Sequence, residues 1–106
     1  MTDLENIKNK SYSRDEIVLE YDDAIKLLNY CELSNIKILG WEGWIKYSDG
    51  SIGHSQKYQG TNDLFDINIS DAIALSKNTI NLAHSEWKTK PEIENATLLF
   101  CFTTDT

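Results

Sequence analysis

The sequence predicts an α+β domain in which an antiparallel three-stranded sheet packs one face on two helices, in the order helix, strand, strand, helix, strand. Three observations carry that prediction. Asp49-Gly50 lies between two β-prone runs, apolar residues recur at three- and four-residue steps over 14–33 and 71–87, and Thr97 to Thr103, TLLFCFT, is an unbroken apolar run of strand length. At 106 residues the chain can bury one core and forms one domain, 1–106. Residues 14–104 make that core, and residues 1–12, which show no period, read as a loose lead-in.

For the first helix, Ser13-Arg14-Asp15-Glu16 reads as a capping box, Ser13 supplying the N-cap oxygen and Glu16 reaching back to the orphan amide. Ile17, Tyr21, Ala24, Leu28 and Cys31 then keep helical spacing, so a helix is predicted from Arg14 to Leu33, stopped by Ser34-Asn35. Ile17-Val18-Leu19 is β-prone, which leaves a short strand over Glu16 to Glu20 as the alternative. In the helical reading Glu16, Glu20 and Asp23 stack into one acidic stripe. Acids near a helix N-terminus complement the macrodipole; as a functional element the stripe would meet a basic partner.

Ile36 to Tyr58 holds two of the three tryptophans and four of the five glycines. A two-residue Asp49-Gly50 loop would place Ile45 opposite His54, Trp44 opposite Ser55, Glu42 opposite Lys57 and Trp41 opposite Tyr58. Alternation then sorts Leu39, Trp41, Ile45, Tyr47, Ile52, His54 and Tyr58 onto a core face. Glu42, Trp44, Lys46, Ser55 and Lys57 fall on the other face. Trp44 stands out there, either covered by the same chain or offered to a partner, and Ile36 and Ile38 on its side would extend an apolar patch. Gly40 and Gly43 suggest a bulge or a close backbone approach, which would slip the pairing beyond it.

After the hairpin, Gly60 to Asp63 reads as a turn, with Leu64-Phe65 returning to the core. Ser70 is the expected N-cap of a second helix from Asp71 to Trp87, followed by Lys88, Lys90 and the helix-stopping Pro91. The closing strand, apolar throughout, is expected beside the first strand. It is buried on both faces or meets another chain on its outer one.

Composition narrows the function. A net charge of −7 and a pI near 4.6 argue against nucleic acid or anionic membrane as partners and suit a basic one. The hairpin itself, with Glu42 and Asp49 against Lys37, Lys46 and Lys57, is close to neutral. The start, MTDLENIKNK, lacks the apolar core of a secretory signal and no window approaches a membrane span, so a cytoplasmic location is expected. Cys31 and Cys101 then read as small buried hydrophobes, and the sequence leaves open whether they are close. His54 and His84 have no metal-ligand spacing, and HExxH, CxxC and GxSxG do not occur. No metal, no cofactor and no catalysis are expected. A small hydrolase would need a cleft gathering His54 with a carboxylate.

The element order resembles a family of small α+β immunity proteins encoded beside bacterial polymorphic toxins. The residues that carry the resemblance are Ile38-Leu39-Gly40 leading into Trp41-Glu42-Gly43-Trp44, then Ser48-Asp49-Gly50, and the closing Leu98-Leu99-Phe100-Cys101-Phe102, over residues 14–104. The segment Gln59 to Asp71 departs from the pattern, lacking an aromatic and acidic cluster after the second strand. The resemblance implies a non-enzymatic protein that binds and neutralises one cognate toxin domain inside the producing cell. Glu42, Trp44, Glu16, Glu20 and Asp23 are then the candidate partner-binding residues. The alternative is a self-associating structural module, a homodimer through the apolar sheet face.

Overall fold

A computed structural model describes residues 3–61 and 67–104. Three helices and four strands follow one another as α1 (Asp3–Lys8), β1 (Ile17–Leu19), α2 (Tyr21–Leu33), β2 (Ile38–Lys46), β3 (Ile52–Thr61), α3 (Ile69–Thr89) and β4 (Thr97–Thr104). The sheet is antiparallel throughout and its strand order is β1-β4-β2-β3. The α+β class therefore holds, with four strands instead of three and three helices instead of two among the described residues. The predicted turn at Gly60 to Asp63 and the return of Leu64-Phe65 fall largely on residues outside those described.

The extra strand comes from the predicted first helix. Ile17, Val18 and Leu19 pair with Phe102, Cys101 and Phe100 of β4, so the β-prone alternative prevails and the helix begins only at Tyr21. The hydrogen bond expected of the capping box does form, Glu16 N–H donating to Ser13 Oγ at 3.3 Å. It closes a turn into a strand, because Ser and Asp side chains bind nearby amides in turns as readily as at helix starts. Ser11 Oγ secures the same turn, accepting from Val18 N–H at 2.9 Å. At its other end α2 stops where predicted. Asn35 takes a left-handed φ of 57°, and Ile36 N–H returns to the Cys31 carbonyl at 2.9 Å.

The lead-in is not loose throughout. Asp3–Lys8 is helical because Leu4 and Ile7, three apart, both join the main core, Ile7 fully. So short a helix is held by docking and carries too few apolar residues to show a period. α3 starts earlier than predicted, since Asn68 and not Ser70 is the cap, its Oδ1 accepting from Asp71 N–H at 2.8 Å.

The main core lies between one sheet face and α2 with α3. Phe100, Leu19, Leu27, Leu28, Ile38, Ile45, Ile73 and Ile80 are fully buried there. Trp41 crosses Phe100 edge to face and donates its Nε1–H to Thr79 Oγ1 at 2.8 Å, tying β2 to α3. β4 runs between β1 and β2, as expected for a strand beside the predicted first one. Leu98, Phe100 and Phe102 turn to this core, while Leu99 and Cys101 turn away. Cys31 and Cys101 are free thiols on opposite sides of the sheet. No helix among the described residues is long and apolar enough to cross a membrane.

Candidate functional site

The hairpin turn decides what the outer sheet face contains. Tyr47 N–H donates to the Ser51 carbonyl at 2.8 Å and Gly50 N–H to the Tyr47 carbonyl at 2.9 Å, with Gly50 at a φ of 90°. The loop is thus Ser48-Asp49-Gly50, a turn closed by a left-handed glycine, instead of Asp49-Gly50 alone. Asp49 steadies it by accepting from Ser51 N–H and Ser51 Oγ, which holds its carboxyl below the usual range. One added loop residue slips the pairing by one and turns every side chain of β3 near the turn to the other face. Lys46 now faces Ile52, Ile45 faces Gly53 and Trp44 faces His54. The expected core positions of Ile52 and His54 are therefore wrong: both lie on the outer face, exposed.

Farther along, the pairing shifts again at the glycine that suggested a bulge. Between Trp44 opposite His54 and Glu42 opposite Gln59, Gly43 alone faces residues 55–58. Ser55 Oγ accepts from the N–H groups of Lys57 and Tyr58 at 3.1 and 3.2 Å, satisfying amides that the looped-out segment takes off the ladder. Trp41 accordingly faces Gly60 and not Tyr58. The expected Glu42 to Lys57 pair is absent: Lys57 bonds Glu86 of α3, and Glu42 lies 3.9 Å from His54 Nδ1. A second shift at Leu39 sends Ile38 into the main core and leaves Leu39 exposed, the reverse of the expected sides.

These registers build three cross-strand rows on the outer face. One is Thr97, Lys46 and Ile52; the next is Leu99, Trp44 and His54; the third is Val18, Cys101, Glu42 and Gln59. Val18, Leu99 and Cys101 form a second, smaller buried cluster, and the half-buried Trp44 packs against it. The chain thus covers one side of Trp44 while His54 stacks on the ring at 4.5 Å. The Trp44 indole N–H is buried without an acceptor, an arrangement that costs about 1–3 kcal/mol. Native cores seldom tolerate such a group unless the position serves something else.

No family model matches this chain, and no curated protein or solved structure does.

Of the five candidate residues the fold brings Glu42 and Trp44 into adjacent rows of the outer face. Glu42 and Glu16 both act on Cys101, whose thiol is pushed up to about 12, first by burial and then by the two carboxylates. Trp44 stands in the adjacent row. Glu20, expected in a helical stripe with them, is instead the N-cap residue of α2 and accepts from Tyr12 Oη at 2.8 Å. Asp23 lies in the first turn of α2, engaged with Lys10 at 3.4 Å and Lys26 at 3.9 Å. The continuous helical stripe does not exist, because Glu16 precedes a strand. Sequence reasoning missed Tyr12 and His54 as members of the face, while Lys46 lies on it as expected. Lys46 Nζ lies over the Tyr12 ring, 5.1 Å from its centre. A three-residue loop, considered beside the two-residue one, would have put His54 next to Trp44.

Elsewhere, a groove of about 670 Å³ between α1 and α2 is lined by Ile7, Lys10, Asp23, Lys26, Tyr30 and Leu33, among others. It gathers no nucleophile with a base. His54 and Glu42 meet on an open face with side chains 59% and 61% exposed, not in a cleft. Among the described residues no three His, Cys, Asp or Glu side chains group to hold a metal ion.

Proposed function

We propose that this protein is an immunity protein that binds a cognate bacterial toxin domain and neutralises it inside the producing cell, by occupation of a surface and not by chemistry. The observation that carries the reading is Trp44, half-buried at the middle of a sheet face, stacked on His54 and with Glu42 in the next row. A large aromatic fixed by packing loses little conformational freedom on binding, which is what interface anchors share. The acidic surroundings and the overall charge of −7 favour a basic target and speed encounter with it.

The test is growth of cells co-expressing this protein with the toxic C-terminal domain encoded by the neighbouring upstream gene. Rescue is expected. The Trp44→Ala protein, with its circular dichroism spectrum unchanged, should bind that domain at least ~2 kcal/mol more weakly, by calorimetry, as truncation of a central anchor does. Absence of rescue with both proteins soluble would overturn the immunity reading. Unchanged binding by Trp44→Ala would move the contact off this face.

A further inference from the structure

We draw no further inference here: the strongest candidate, the groove between α1 and α2 lined by Ile7, Tyr30 and Leu33, has its two lysines, Lys10 and Lys26, already engaged by Asp23, and nothing in the structure shows what covers it.

Discussion

A Cβ on Gly43 would stand 2.9 Å from the Cβ of Tyr58 and 3.1 Å from its carbonyl oxygen. Those are main-chain and near-main-chain atoms of the bulge, which cannot swing aside as the end of a long side chain would. Gly43→Ala should therefore cost about 1–3 kcal/mol of stability, read from urea unfolding, because the bulge must shift to admit one methyl group. The half-buried His84 offers a second measurable consequence. It stacks on Tyr21 with ring centres 3.8 Å apart. Burial, and then Lys88, lower its pKa below the usual 6.5, while Asp22 opposes them. A base whose folded pKa is lowered binds fewer protons in the folded state than in the unfolded one, so stability rises with pH in that window. Unfolding midpoints should fall as pH drops through about 6.5 toward the folded value, and His84→Gln should flatten that slope. An unchanged slope in the variant would show that another group carries it.

At the scale of elements, the helices were largely legible because their cause is local. The apolar spacing of α3 and the stop signals at Asn35 and Pro91 need no knowledge of the rest of the chain. Its true cap, Asn68, differs from the expected Ser70 by two positions. Asn68→Ala should cost about 1 kcal/mol in unfolding, and Ser70→Ala only a few tenths, since Asn68 alone of the two accepts the Asp71 amide. β1 was less legible. Ser13 and Glu16 make the bond of a helix start, and only pairing with β4 makes Ile17 to Leu19 a strand, which is a non-local event. The hairpin was legible as a hairpin but not in register, because Asp49-Gly50 serves a two-residue loop and a three-residue loop with one glycine alike. That single ambiguity moved His54 and Ile52 across the sheet, and with them half of the candidate site. Trp44 and Glu42 kept their place because the outer side of β2 there does not depend on the loop, whereas Glu16 left the predicted helical stripe for the turn into β1.

The whole molecule shows why its sheet face, and not its sheet edges, is the surface to which a partner is assigned. A free edge invites another strand, and both edges here are blunted. β1 is three residues long, and its main chain already meets Tyr12 N–H and Ser11 Oγ. β3 is longer, but the looped segment at 55–58 breaks its line, and Ser55 takes two of the amides an added strand would seek. What remains exposed and partly apolar is the face with Trp44, Tyr12 and Ile52, bearing acid at one end. Two copies joined face to face could set Glu42 of one against Lys46 of the other, yet each face carries Glu16 and Glu42 against one lysine, and each copy brings seven excess negative charges. Repulsion of that kind weakens as salt screens it, the Debye length falling from ~10 Å at 0.1 M to ~3 Å at 1 M. The protein should therefore sediment as a monomer at micromolar concentration in moderate salt, and Trp44→Ala should sediment identically. A dimer that Trp44→Ala dissolves would transfer the face from a foreign basic partner to a second copy of the chain. A dimer that forms only at high salt would place the same apolar contact under the control of the acidic residues around it.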